Sequence, residues 1–364
     1  GVKFEIQDGN SWCYLDGEPV TAYAYYAPNR RWRNGSLDFK DIFGNPNGTA
    51  EFLEATCTVH YGDNNYVDIS FANATRNYSR LRIATIPKTE IKVDADNFAP
   101  TDNPNLLYMT YTLTSDEKGN AYLYGTFDNN SIVTVKYRGA SLATHKFSKK
   151  TENAKSYALD ATVISANSAE EINSAIKQEV ADGKTAIRLN IASDAGDNEF
   201  KAIREAFKNV KSGTIDLTLI GCKEIPADGL NDIKALKSIF LPDVTKIGMN
   251  ALSYCVNLQE ICAPNVSAID ERAFAGFIML TKVTLGELTD VRGEANSGGG
   301  IFDDDKRILI DLYLPKNQEV MKGEFDENSN QYIWKPTGES YFASLDYDNR
   351  IFLGYQFNSV KSWE

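Results

Sequence analysis

The sequence is poor in the side chains that most often carry acid–base catalysis or bind zinc. Its 364 residues include two histidines, His60 and His145, and five cysteines that form no Cys-x-x-Cys pair. Zinc sites need clustered cysteine and histidine, and general acid–base catalysis most often uses histidine. The motifs G-x-S-x-G and H-E-x-x-H and the P-loop are missing too. We therefore expect a protein that is not an enzyme and that needs no cofactor or metal.

The sequence also lacks a basic run and a long apolar run, and these two absences indicate which partners to expect. Lysine and arginine form no long run, and the formal net charge is −12. A nucleic acid or an anionic membrane is bound through a basic patch, so we expect neither as a partner. No apolar run reaches the roughly 18 residues of a membrane span. Because the chain opens on Gly1 and not on Met, we expect that it has been trimmed and that any lipid anchor lies outside it.

The cysteines and the acidic run Asp303–Asp305 can be explained by structural roles. Cys222 and Cys255 fall on apolar positions of a repeat, which predicts buried thiols. Cys13 and Cys57 can form a disulfide if the protein is exported, and the sequence leaves this open. The acidic run lacks the spaced ligands of a calcium loop, so a solvated loop is favoured over a calcium site.

The first 150 residues have the pattern of antiparallel β structure. Short alternating runs such as EATCTVHY and NYVDISF are separated by turn sequences such as YGDNN. The stretch 106–139 predicts a three-stranded meander with turns at DEKGN and DNN. In its first strand Leu107, Met109, Tyr111 and Leu113 fall on one face. We expect a β-sandwich, with a closed barrel as the alternative.

A polar stretch without periodicity, 148–160, predicts a linker between two domains. It separates an expected β domain over 1–152 from a second domain over 160–364. The second domain begins with a capping box, Ser168 and Glu171, which predicts a helix there. We expect this helix and a second one over 199–210 to form an N-terminal helical cap, and the C-terminal segment to be irregular.

From Leu236 onward the apolar pattern returns every 22 residues. The spacing continues to Val291 and resumes at Leu312 after an insertion. The first two copies align at Leu236/Leu258, Ile239/Ile261, Leu241/Ala263, Val244/Val266, Ile247/Ile269, Ala251/Ala273, Leu252/Phe274 and Cys255/Phe277. A period of about 20–29 residues with this core is typical of leucine-rich repeats, whose stacked units bury each other's apolar faces. We therefore predict a solenoid in which Ile239, Ile261 and Val283 form one buried ladder.

The two copies resemble the BspA-like family of bacterial leucine-rich repeats. The family's usual phrase, Ile-Gly-x-x-Ala-Phe-x-x-Cys, is carried by LPDVTKIGMNALSYC and APNVSAIDERAFAGF. The first copy has Leu252 for Phe, and the second has Asp270 for Gly and Phe277 for Cys. The resemblance covers residues from about 190 to 320 and does not reach the N-terminal domain. It implies a surface-exposed or secreted bacterial protein that binds or adheres, without catalytic residues.

The alternation of side chains along each repeat strand predicts a binding stripe. If Ile239 and Leu241 point inwards, their neighbours in the strand point outwards. The 22-residue step then aligns the outward residues Ser238, Phe240, Glu260, Cys262, Lys282 and Thr284, and Tyr313 joins them after the insertion. The alternative is that the N-terminal domain or the segment YIWKPTGESYF covers this stripe, which would explain its apolar residues without a ligand.

Aromatic and arginine residues are also interleaved near the N-terminus. They are Trp12, Tyr14, Tyr23, Tyr25, Tyr26, Arg30, Arg31, Trp32 and Arg33. Such residues suit sugar rings or acidic glycans, but filling a β core and its rim is the favoured reading. We expect an extracytoplasmic bacterial binding or adhesion protein that recognises an extracellular protein or glycan. The alternative is a glycan-binding accessory protein of a polysaccharide-uptake system.

Overall fold

The computed structural model describes residues 79–100, 105–152, 155–295, 299–302 and 309–363, together with the backbone of five strands before residue 79. The described chain is mostly β structure with few helices, and none of its sheets closes into a barrel. Contacts divide it into two compact units, Gly1–Lys136 with Ala143–Thr162, and Tyr137–Leu142 with Val163–Glu364.

The first eleven strands that the structure describes form three sheets. They are β1 (Val2–Gln7), β2 (Asn10–Leu15), β3 (Gly35–Asp38), β4 (Leu53–His60), β5 (Tyr66–Asn73), β6 (Ser79–Ala84), β7 (Glu90–Pro100), β8 (Leu107–Thr114), β9 (Asn120–Tyr137), β10 (Ala140–Lys146) and β11 (Ser156–Asp160). Strands β1 and β2 pair with each other, and β3, β4 and β5 form a second sheet. The third sheet has the order β11-β6-β9-β7-β8, and β10 pairs with β9.

The predicted meander over 106–139 is wrong. Strand β8 alternates between half-buried and exposed residues as expected, but it pairs with β7 and not with the strand that follows it. The sequence DNN makes no turn, because β9 runs through it as one strand of 18 residues. Strand β7 takes the place beside β9 because its side chains Ile91, Val93 and Ala95 are buried, whereas β8 exposes a polar face that suits an edge.

The described residues of the second unit form three α-helices, one short 3₁₀ helix and the remaining strands. The helices are α1 (Ala169–Ala181), α2 (Asp197–Phe207), the 3₁₀ helix (Tyr341–Ala343) and α3 (Leu345–Asn349). The strands are β12 (Ile164–Ser165), β13 (Ala186–Asn190), β14 (Ile215–Ile220), β15 (Glu224–Ile225), β16 (Leu236–Phe240), β17 (Lys246–Ile247), β18 (Glu260–Ala263), β19 (Ala268–Ile269), β20 (Lys282–Leu285), β21 (Asp290–Arg292), β22 (Asp311–Leu314), β23 (Glu319–Asp326), β24 (Gln331–Ser340), β25 (Ile351–Phe352), β26 (Tyr355–Gln356) and β27 (Ser359–Ser362).

The helix predicted from the capping box is present. Ser168 is the N-cap of α1, and its hydroxyl accepts a hydrogen bond from the amide of Glu171 at 3.2 Å. The Glu171 carboxylate reaches back to the amide of Asn167 at 2.7 Å. The first contact satisfies an amide that the first turn of a helix leaves without a partner, and the second fixes the residue before the N-cap. Helix α2 buries Phe200, Ile203 and Phe207.

The repeat strands build two sheets. Eight strands form a parallel sheet in the order β12-β13-β14-β16-β18-β20-β22-β27. The second sheet has the order β15-β17-β19-β21-β24-β23, and its last two strands run antiparallel. Each step from β14 to β16, β18 and β20 advances the aligned residues by 22 positions, as the sequence predicts.

The core of the eight-stranded sheet is a ladder of aliphatic side chains in register. It consists of Ile187, Leu217, Ile239, Ile261, Val283, Leu312 and Val360, all at most 4% exposed. The predicted stacking of Ile239, Ile261 and Val283 is thereby confirmed. Each such side chain contributes about 1.5–3 kcal/mol when it is fully buried, so the ladder is a main source of stability for the sheet.

The repeat is interrupted after β21, and there a buried side chain forms hydrogen bonds with the backbone in place of another strand. Gln318 is fully buried, and its amide oxygen accepts from the Leu288 amide at 2.8 Å. Its amide nitrogen donates to the carbonyl of Leu288 at 3.3 Å and to that of Glu319 at 2.9 Å. The side chain therefore satisfies the buried backbone groups of Leu288 where the insertion breaks the 22-residue period.

Candidate functional site

The outward residues of the eight-stranded sheet lie in two rows, and the predicted stripe falls on both. One row is Asp216, Ser238, Glu260, Lys282, Asp311 and Ser359; the other is Thr218, Phe240, Cys262, Thr284, Tyr313 and Lys361. The register places each predicted residue beside the one expected, including Tyr313 after the insertion. Seven spacings of about 4.8 Å separate the outermost of the eight strands, so the sheet is roughly 34 Å wide.

At the centre of this outward face, three side chains are almost completely buried. Ser238, Cys262 and Thr284 are only 6%, 7% and 9% exposed. Phe240 and Tyr313 are half-buried, which leaves part of each ring on the surface. The segment YIWKPTGESYF lies in β24 and the 3₁₀ helix, and β24 pairs with β21 and β23 in the other sheet.

The first row carries a chain of polar contacts between neighbouring strands. The Ser238 hydroxyl donates to Asp216 at 2.5 Å, and the Lys282 ammonium lies 2.7 Å from a Glu260 oxygen. Burial lowers the pKa of Lys282, whereas the hydrogen bond to Glu260 raises it. The net effect is a raised pKa. The lysine therefore stays charged at neutral pH, and its half-exposed end is available for an ionic contact.

The far end of the same row is held by Asp311. Its carboxylate accepts from the Ser359 hydroxyl at 2.7 Å and from the Asn358 amide at 2.6 Å. These hydrogen bonds lower the pKa of Asp311 below its ordinary value. The Lys361 ammonium lies 3.7 Å from the other carboxylate oxygen. These contacts tie β27 to β22 on the outward face.

Tyr313 lies between two lysines. The ammonium groups of Lys282, from the preceding strand, and of Lys361, from the following strand, are each 5.5 Å from the ring centroid. At this distance a cation is attracted to the face of an aromatic ring. A sugar that stacked on the ring would compete with a lysine, whereas a carboxylate can bind either ammonium group without removing it from the ring.

The opposite end of the face is occupied by another part of the second unit. Arg188 of β13 is aligned with Thr218, and its Nε donates to the carbonyl of Leu142 at 2.6 Å. Arg138 forms an ion pair with Asp243, which is 4% exposed and also accepts from the Gly221 amide. The segment Tyr137–Leu142 therefore contacts Arg188 of β13 and Asp243, just after β16.

Sequence reasoning missed Arg188, Ser359 and Lys361. Strand β27 follows β22 in the sheet, but Val360 comes 48 positions after Leu312, so the 22-residue period gives no signal for it. The alternation of Ser359, Val360, Lys361 and Ser362 fits a strand and was the one local indication. Arg188 lies in β13, but its contact with Leu142 is not encoded by any sequence pattern.

Two of the described thiols, Cys222 and Cys255, are poor nucleophiles. Cys222 and Cys255 are fully buried, and burial raises the pKa of each to about 12. Neither thiol forms a disulfide, and the buried Cys262 does not form one either. His145 packs its ring against Phe147, with 4.6 Å between the centroids. These positions agree with a packing role for each side chain.

Several candidates from the sequence lie outside the described residues. These are the acidic run Asp303–Asp305, the side chains of Cys13, Cys57, Trp12 and Tyr14, and the residues Tyr23, Tyr25, Tyr26, Arg30, Arg31, Trp32 and Arg33. Within the described ranges, no group of three or more acidic, histidine or cysteine side chains is placed to hold a metal ion. No helix in the same ranges is both long and apolar enough to cross a membrane.

A parallel sheet whose strands from β14 to β20 recur every 22 residues, over a ladder of buried aliphatic residues, is the arrangement of a leucine-rich repeat domain. Residues 198–298 match the family described as the BspA type leucine rich repeat region, in six copies, and this confirms the resemblance drawn from the sequence. No curated protein and no solved structure matches the chain.

Proposed function

We propose that this chain is a non-enzymatic binding or adhesion protein that acts at the bacterial cell surface or after secretion. The observation that carries the proposal is the in-register outward face of the eight-stranded sheet, with Phe240, Lys282 and Tyr313 part-exposed on it. A broad, rigid face with aromatic and charged residues suits recognition of a macromolecule more than chemistry on a small one.

The family supports the same proposal. Proteins with BspA-like leucine-rich repeats are often surface adhesion or protein-binding proteins, and they are typically surface-exposed or secreted. We propose that the repeats form a solenoid, that α1 and α2 cap its start, and that the outward face of its parallel sheet is the recognition surface.

The chemistry of the face favours a protein partner over a neutral glycan. Tyr313 is flanked by Lys282 and Lys361, so sugar stacking competes with existing cation–π contacts. Glu260 and Asp311 lie beside these lysines, which gives the face charges of both signs. A protein surface with complementary charges can exchange these internal ion pairs for intermolecular ones.

The experiment exposes the labelled full-length chain to an array of extracellular proteins and to a glycan array at low and high salt. We expect binding to a protein ligand that weakens as salt rises, because the contacts of the charged residues are screened. Salt-independent binding to neutral glycans would contradict the assignment of a protein partner. Absence of binding on both arrays would contradict the proposed function.

A further inference from the structure

The hairpin of β23 and β24 ends the six-stranded sheet in an open edge. The order of strands finishes at β23, and within the described ranges no strand pairs with its outer side. Strand β23 has eight residues, and Phe325 near its end is 58% exposed. The outer edge of such a strand presents backbone N–H and C=O groups that can pair with another strand.

The edge strand is held in an extended form by aromatic residues of its partner strand. A Cβ atom at Gly323 would lie 2.3 Å from the Tyr332 ring and 3.0 Å from the Trp334 ring, so these rings lie across the glycine. Trp334 is fixed by a hydrogen bond from its Nε1 to the carbonyl of Gly293 at 3.0 Å. The edge is therefore preorganised although it has a glycine at its centre.

The residues of β23 on either side of Gly323 carry opposite charges, so the strand is complementary in charge to an antiparallel second copy of itself. Lys322 and Glu324 are about 70% exposed and pair with each other at 2.7 Å. If a second β23 strand pairs antiparallel about Gly323, Lys322 faces Glu324 of the second copy, and Glu324 faces Lys322. The same register places Met321 opposite the exposed Phe325 of the second copy. Cross-strand pairs of opposite charge and of apolar residues both stabilise a sheet.

The charges also disfavour the neighbouring registers. A pairing centred on Lys322 places two lysines opposite each other, and one centred on Glu324 places two glutamates opposite each other. Like charges directly opposite each other destabilise a strand pair. Only the register about Gly323 pairs both charges favourably, and it is symmetric, as an interface between two identical chains requires.

We propose that two copies of this chain associate through their β23 strands, antiparallel about Gly323, so that the two six-stranded sheets become continuous. The contact uses the hairpin Glu319–Ser340, whereas the proposed recognition face lies on the other sheet of the unit. Dimer formation and partner binding are therefore separate properties, and each can fail without the other.

The test measures the mass of the full-length chain by sedimentation velocity over a range of concentrations. The wild type should reach twice the chain mass of 40.5 kDa. Lys322→Glu and Glu324→Lys should each raise the dimer dissociation constant at least about tenfold, because each places like charges opposite each other. An equimolar mixture of the two variants should dimerise again, because each supplies the charge that the other lacks.

Two controls keep the outcome clear. Lys88→Glu disrupts an equally exposed ion pair in the first unit, with Glu117, and should leave the dimer unchanged. Circular dichroism should show that every variant keeps its fold. A wild type that stays monomeric at every concentration overturns the proposal, and so do single variants that still dimerise. If the mixture remains monomeric, Lys322 and Glu324 do not face each other and the register is wrong.

Discussion

The six-stranded sheet of the first unit and the eight-stranded sheet of the second bury aliphatic side chains in different ways. In the first, strands of 5 to 18 residues pair mainly antiparallel, and their order in the sheet departs from their order in the chain. In the second, every pair is parallel, and the strands follow one another in chain order. A residue of the second sheet therefore packs beside the equivalent residue of the next strand of that sheet. The neighbours of a residue in the first sheet depend instead on which strand occupies the centre of that sheet.

This difference indicates which substitutions should destabilise each unit most. The ladder of the second unit is one-dimensional, so each buried residue supports the repeat before it and the repeat after it. The first unit relies on the fully buried side chains of β7, such as Val93, which pairs with Tyr111 of β8 on one side and Val135 of β9 on the other. Predictions that disturb single contacts of the second unit test whether its repeats depend on each other in this way.

The largest effect is expected from truncating the ladder. Ile261→Ala removes a fully buried side chain between Ile239 and Val283 and should lower the free energy of unfolding by about 2–5 kcal/mol. Ile278→Ala is the matched control, because Ile278 is 76% exposed, and it should change stability by less than about 0.5 kcal/mol. Urea unfolding measures both. Equal effects of the two substitutions would mean that the register is misassigned.

The next effect concerns the point where the repeat is interrupted. Gln318→Ala leaves the buried amide and carbonyl of Leu288 without the partners that Gln318 supplies. The loss should be about 2–3 kcal/mol, since an unsatisfied buried polar group costs about 1–3 kcal/mol. Gln356→Ala, at a half-buried glutamine that bonds at 3.5 Å, should cost far less in the same urea titration. A neutral Gln318→Ala would contradict the bridging role of this side chain.

A smaller effect is expected when the chain is cut between its predicted domains. We predict that 1–152 and 160–364 each fold, as measured by circular dichroism and thermal unfolding. The second fragment loses Arg138, so the buried Asp243 keeps only the amide of Gly221 among the partners described here. It should be less stable by about 1–2 kcal/mol, a value reduced from that of a fully buried pair because Arg138 is half-exposed.

Arg138→Ala in the full-length chain is the matched variant for that cut. It removes the same ion pair without removing the β region, so it should reproduce most of the loss in the second fragment. An unfolded fragment would show that the two predicted domains are not independent. A folded fragment with a much larger loss than Arg138→Ala would show that other contacts of the removed region matter.

The smallest effect is a pH dependence at β27. The pKa of Asp311 is lowered from its ordinary value of 3.8 by hydrogen bonds from Ser359 and Asn358. A lowered pKa means that the carboxylate stabilises the fold above pH 3.8, and that this contribution is lost as the pH falls through the folded pKa. Asp311→Ala should cost less than about 1 kcal/mol at neutral pH. The difference from wild type should vanish in acid, and a difference that grew in acid would reverse the assigned sign.

The two units also differ in how far the sequence predicted them. In the repeat, spacing alone placed Ile239 beside Ile261 and Cys262 beside Thr284, because a parallel repeat converts a fixed number of residues into a spatial neighbour. Tyr313 was placed beside Thr284 by resuming the apolar pattern after the insertion. In the β region, alternation located β8 and its buried face but not its neighbour. That choice depends on how well each strand packs against the others, which no local pattern records.

The candidate site was predictable in its regular part only. The outward rows follow from the period and from the alternation of side chains, so the residues on β16, β18, β20 and β22 could be named. Lys361 and Arg188 could not, because one follows a long insertion and the other is identified by its contact with Leu142. The cation–π contacts of Tyr313 depend on Lys361 and were hidden for the same reason.

The central claim is that the outward face of the eight-stranded sheet binds the partner. Its most direct test compares the double variant Phe240→Ala and Tyr313→Ala with the control Tyr254→Ala and Ile278→Ala, whose residues are exposed elsewhere on the same unit. For the ligand identified on the arrays, the account predicts that the first variant lowers affinity at least about tenfold with a nearly unchanged melting temperature. The control should bind as the wild type does. Unchanged affinity of the Phe240 and Tyr313 variant, or an equal loss in the control, would contradict the account.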